Sequence, residues 1–135
     1  MDARPIKTNT YNSSRAKISD GKSVLVQVPE NTTIEAQMFY ELEGFFGAAT
    51  ESVTTGEGQT AEVVLTIEQA EYESDQIMTT KQFDVGAPLY FKDGKFTPDA
   101  STGVEPDVTS HRLVGRVTQS KDANNVILFI LGPQV

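Results

Sequence analysis

Apolar and polar residues alternate with a period of two along much of the chain, which predicts short β-strands. Val24, Val26 and Val28 alternate with Ser23, Leu25 and Gln27, and Pro29 ends the run. That is the mark of a half-buried strand. Ala61, Val63, Leu65 and Ile67 alternate with Glu62, Val64, Thr66 and Glu68, so one face is apolar and the other mixed. Pro88 to Phe91 runs into Lys92-Asp93-Gly94-Lys95, and Phe96 and Thr97 lead back. Asp-Gly between aromatic strand ends predicts a two-residue hairpin turn, because both central residues tolerate positive φ. Arg112 to Thr118 sets Leu113, Gly115 and Val117 against Arg112, Val114 and Arg116, which predicts another strand with those two sets on opposite faces. Val126 to Leu131 is apolar on both faces. Such a strand belongs in the middle of a sheet or needs cover on its second side.

Thr33 to Phe46 supports two readings. Ile34, Met38 and Leu42 recur at the four-residue spacing of a helix, and Gly44 and Gly47 would break it. The same segment reads as two short strands, with Phe45, Phe46 and Ala48 in the second. The strand reading is preferred, because the flanks are strands and turn signals recur at short spacing. Thr54 to Thr60 and Pro98 to Ser110 read as flexible loops, and Lys121 to Asn125 as a turn-rich connector. Met1 to Asp20 is different. It is rich in Thr, Asn, Ser and Arg, and its clear apolar side chains, Ile6, Tyr11 and Ile18, follow no period. It reads either as a frayed terminus or as an arm that orders by adding a strand to a partner's sheet edge. The expected division is an arm over residues 1–22 and a β-domain over 23–135.

Length and charge sharpen this division. The 135 residues suit one domain. From Met1 to Lys22 there are five basic and two acidic residues, a net of +3. From Ser23 to Thr80 there are eleven acids and no Lys or Arg, and from Lys81 to Val135 there are six of each. The sum is −8, which makes nucleic acid an unexpected partner. No apolar run approaches a membrane span, so no membrane is expected either.

The chemistry available is sparse. Cys is 0 and His is 1, which excludes thiolate chemistry and multi-histidine metal sites. Gly21-Lys22-Ser23 invites a phosphate-loop reading, but Ala16 stands where that motif needs its first glycine, and a strand follows instead of a helix. His111 is the one candidate imidazole base, at the start of a strand, and is expected to be an ordinary surface or packed residue. Glu71 to Asp75 lacks the glycine turn of a calcium loop and reads as an exposed acidic strand end. No cofactor, metal or enzymatic activity is expected.

The order of the pieces is more specific than any one of them. A Val-rich strand ending in Pro29 is followed by Gly44-Phe45-Phe46-Gly47-Ala48-Ala49 and then by Ala61-Glu62-Val63-Val64-Leu65-Thr66. The hairpin from Phe83-Asp84-Val85-Gly86-Ala87 to Thr97 comes next, then Leu113-Val114-Gly115-Arg116-Val117 and a last strand. Over about Val24 to Leu131 this resembles the small capsid decoration, or head-fibre, proteins of tailed bacteriophages. The resemblance implies an all-β fold, a small β-barrel or β-tulip-like domain. It implies a homotrimer on the capsid exterior of the virion, bound to the major capsid protein, made in the bacterial host cytoplasm and without catalysis. The capsid-binding residues expected on the arm are Arg4, Ile6, Lys7, Tyr11, Arg15, Lys17 and Ile18. Two other readings remain open. One is a different virion component (tail, collar or fibre base) or a carbohydrate-binding β-domain, the latter weakened by the lack of Trp. The other is a small hydrolase using Asp and Glu.

Overall fold

Thirteen strands and no helix form within residues 16–134, the part of the chain that the computed structural model describes. They are β1 (Ser23–Val28), β2 (Thr33–Ile34), β3 (Phe39–Leu42), β4 (Phe45–Ala49), β5 (Val53–Thr54), β6 (Ala61–Thr66) and β7 (Glu71–Ser74), followed by β8 (Pro88–Lys92), β9 (Lys95–Thr97), β10 (Ser101–Thr102), β11 (Thr109–Ser110), β12 (Arg112–Gln119) and β13 (Ile127–Leu131). A four-stranded sheet has the order β1-β6-β4-β3, and a five-stranded sheet the order β7-β13-β12-β8-β9. Two short ribbons, β2-β5 and β10-β11, complete the fold. The strands pair antiparallel. The fold is all-β, with a curled half-barrel sheet.

Thr33 to Phe46 forms strands, because Glu43 and Gly44 take φ of 52° and 86° and close a two-residue turn between β3 and β4. Asp93 and Gly94 do the same between β8 and β9, at 52° and 79°. Positive φ at both central residues matches the right-handed twist of the flanking strands.

β4 is the wall between two apolar clusters. Phe46 and Ala48 face the larger one, with Phe39, Phe91, Phe96, Phe129, Leu89 and Leu131. Ala49 faces the smaller, with Val26, Val28, Ile34, Val63 and Leu65. Gly47 lies against β6, where a Cβ would collide with the carbonyl oxygen of Thr66. The larger cluster is aromatic at its centre. The Phe39 ring centroid lies 5.7 Å from that of Phe46, 5.4 Å from Phe96 and 5.3 Å from Phe129. These rings, drawn from both sheets, meet stacked or edge-on, geometries that add about 0.5–1.5 kcal/mol per pair beyond area burial.

Two glutamines fasten the sheets. Gln76 Oε1 accepts the Phe39 N–H at 2.9 Å, and its Nε2 donates to the Phe39 carbonyl at 2.8 Å. Gln134 treats Phe46 in the same way, at 2.8 and 2.9 Å. Arg112 joins the second clamp, donating to Glu41 at 2.7 Å, to the Gly44 carbonyl at 2.8 Å and to Gln134.

Three expectations need correction. Leu113, Gly115 and Val117 do not share one face against Arg112, Val114 and Arg116. Register shifts between Leu113 and Gly115, and between Val117 and Gln119, each leave an unpaired residue. These bulges turn Val114 and Val117 inward and Leu113 outward. Pro98 to Ser110 is not wholly loop, since β10 and β11 pair within it. Thr54 to Thr60 is anchored: Thr55 is buried, and its hydroxyl donates to the Pro29 carbonyl. β13 does sit inside its sheet, between β7 and β12, but its second face is left uncovered at Ile130.

Phe96→Ala should cost about 3–5 kcal/mol, the range for emptying a buried aromatic site. Gln76→Leu should cost about 2 kcal/mol or more, because it leaves the buried N–H and C=O of Phe39 unpaired. Urea unfolding of each variant beside the parent chain measures both.

Candidate interaction surfaces

The expected arm residues fall in two groups. Arg4, Ile6, Lys7, Tyr11 and Arg15 lie outside the described residues. Lys17 and Ile18 lie inside them, both at the surface. Lys17 Nζ is 2.9 Å from Asp20 Oδ1 in an exposed ion pair, of a kind worth little on its own. Ile18 is 81% exposed and has no apolar cover.

The body carries its acids outward. All eleven acids between Ser23 and Thr80 are exposed. Among the described residues their ion pairs are Glu41 with Arg112, at 2.7 Å, and Glu68 with Lys22, at 3.5 Å. Glu71 and Glu73 stand on β7, an edge strand of the five-stranded sheet. Charge on an edge strand discourages indiscriminate strand addition.

His111 is committed to structure. Its Nδ1 lies 2.8 Å from the Asp99 carbonyl oxygen and therefore donates to it. In the neutral ring Nε2 is then left to accept from the Thr102 hydroxyl, 3.2 Å away. The imidazole thus ties the β10-β11 ribbon to the segment before it. Nearby, the Lys81 ammonium lies 2.8 Å from Asp99 Oδ2. Its hydrogen bond holds the Asp99 carboxyl below the usual carboxylate range. Burial pushes the Tyr72 hydroxyl up, helped by the charge of Glu68. The polar recess of about 620 Å³ beside His111 is lined by Tyr40, Glu41, Lys92 and Arg112 among others. Among the described residues no three His, Asp or Glu side chains gather as they would to hold a metal ion. Every buried side-chain polar atom among the described residues has a hydrogen-bond partner.

The outer face of the five-stranded sheet differs from the rest of the body. Leu113 is 59% and Ile130 47% exposed. They line an open groove of about 840 Å³ with Gly115, Arg116, Gly132 and Pro133. The two-faced apolar run from Val126 to Leu131 pointed to the Ile130 side of this groove, but sequence reasoning missed the Leu113 side, which depends on the bulge that turns Leu113 outward.

The β-body displays its acids outward and carries an open apolar groove on one sheet face. Comparison with known families is more specific. The phage cement protein family matches residues 18–132, and the chain belongs to that family. It is a virion protein with a capsid-stabilising decoration role. Neither the curated proteins nor the solved structures give a match.

The Asp99–Lys81 pair generates a pH prediction. A carboxyl whose folded pKa is depressed adds stability above its unfolded value, and that stability is lost as pH falls through the folded pKa. Lys81→Met should raise the Asp99 pKa back towards the ordinary 3.8 and shift the pair's acid-sensitive window upward. An NMR titration of the Asp99 carboxyl carbon reads the change directly.

Proposed function

We propose that the protein decorates the outside of the phage head as a homotrimer bound to the major capsid protein, and that residues 1–22 form the arm that grips the shell. Family membership over residues 18–132 is the observation that carries this reading. Charge supports the division of labour. The arm carries a net +3, whereas Ser23 to Thr80 carries eleven acids and no base. Six of the seven proposed arm contacts, Arg4, Ile6, Lys7, Tyr11, Arg15 and Lys17, precede the matched region, and Ile18 opens it.

In this mechanism Arg4, Lys7, Arg15 and Lys17 pair with acidic groups on the shell. Ile6, Tyr11 and Ile18 insert as apolar anchors. A specific contact buries about 1,200–2,000 Å² in total, and an extended arm gives a small body that reach. Each bound copy stabilises the shell by binding the assembled state in preference to its parts. Several arms on one trimer add avidity, because each binding event raises the local concentration of the next arm. The protein would be made in the host cytoplasm and retained on the virion.

Co-sedimentation with undecorated shells tests the reading. The full chain should bind saturably, and a chain starting at Ser23 should lose at least about tenfold in affinity, or 1.4 kcal/mol. Equal binding by both would remove the arm from the interface. No binding by either would overturn the decoration role.

A further inference from the structure

We infer that the outer face of the five-stranded sheet is the contact between copies of this chain, with the acidic edge of one copy set against the lysine edge of the next. The inference rests on the trimer reading and assigns it a surface. Register defines the face. Ile130 pairs with Glu71 on one side and with Arg116 on the other, and Arg116 pairs with Pro88. Leu128 pairs with Glu73, Leu113 with Tyr90, and Lys92 with Lys95. Cross-strand partners project from the same side of a sheet. The alternate residues Leu89, Phe91, Phe129 and Leu131 fill the core, so the others point away from it.

This face has a polarity. Glu71 and Glu73 stand on its β7 edge. Lys92 and Lys95 flank the β8-β9 turn at the opposite side. Ile130 and Leu113 lie exposed between them, beside the groove. The acid edge carries two acids and no base on β7, whereas the lysine edge carries two bases to one acid, Asp93, whose Oδ1 lies 3.8 Å from Lys92 Nζ in an exposed pair. A second copy therefore offers each edge an excess of the opposite charge. A partner of uniform charge would match one edge and repel the other. The centre sets Ile130 and Leu113 beside Arg116, whose guanidinium donates to the Gly86 carbonyl, and apolar side chains at the centre with charge at the rim is also how protein interfaces are built. Joined head to tail, acid edge to lysine edge, the contact is heterologous, and such a contact closes into a trimer when each copy is turned by a third of a circle from the last.

Charge-reversal variants of the full chain test this, with the association constant read by sedimentation equilibrium and near-ultraviolet circular dichroism confirming the fold. Glu71→Lys with Glu73→Lys, and separately Lys92→Glu with Lys95→Glu, should each weaken self-association at least about tenfold. The chain carrying all four reversals should recover to within about threefold of the parent, since the edges complement again. Glu71 accepts a hydrogen bond from Thr118. The single variant Glu73→Lys, whose side chain makes no hydrogen bond among the described residues, guards against a folding artefact and should weaken association in the same direction. A parent that trimerises and is indifferent to the two double variants would overturn this face and leave the trimer reading standing. So would a fourfold variant no better than either double. A parent that stays monomeric both in solution and when crosslinked on shells would overturn the trimer reading and this inference with it.

Discussion

Two amide side chains hold the fold together where its strands do not pair. β3 ends its sheet, and β4 is flanked by β6 only at Ala48 and Ala49. The N–H and C=O of Phe39 and Phe46 would face the interior unpaired, at about 1–3 kcal/mol for each buried group. Gln76 and Gln134 each offer a donor and an acceptor from one amide, and so act as a single residue of an added strand. The clamps also set Phe39 and Phe46 at the depth where their rings meet Phe96 from the other sheet. The aromatic cluster, the approach of the two sheets and the placing of Arg112 all depend on that geometry.

The sequence made the regular parts of the fold legible. Val24 to Val28 and Ala61 to Thr66 pair along their whole length, and simple alternation predicts both. Asp93-Gly94 forms the turn its chemistry demands. Gly115 lies so close to β13 that a Cβ there would strike the carbonyl oxygen of Ile130. What alternation could not reveal is the two bulges of β12. A bulge is one extra residue in one strand, visible only against the register of its neighbours. The glutamine clamps left no trace either, because Gln76 and Gln134 find their partners 37 and 88 residues away in the chain. The β10-β11 ribbon was hidden because Pro, Gly and acid residues mark loops whether or not two residues pair within them.

Function was legible from a different kind of signal. No single motif pointed to the capsid. The order of the strand segments did, and the family match over residues 18–132 agrees with it. Composition narrowed the field by what it lacked, and the charge split between residues 1–22 and 23–80 suggested two roles for one chain. Of the apolar groove, the Ile130 side was legible in the two-faced apolar run from Val126 to Leu131, while the Leu113 side was out of reach for the same reason as the bulges. A surface built by a register shift appears only when the strands are laid side by side.

The separation along the chain of the residues that clamp the sheets bears on the order in which the structure forms. The β3-β4, β8-β9 and β12-β13 pairs are hairpins between neighbours in sequence, which close in about 1–10 μs when isolated. The Gln134–Phe46 clamp must gather residues 88 apart, after the entropy of closing that loop has been met. Such a bond belongs to the last steps of folding. Contacts made that late hold down the rate of unfolding and do little for the rate of folding. The Gln134 clamp thus bears on how long a finished copy lasts more than on how quickly one is made.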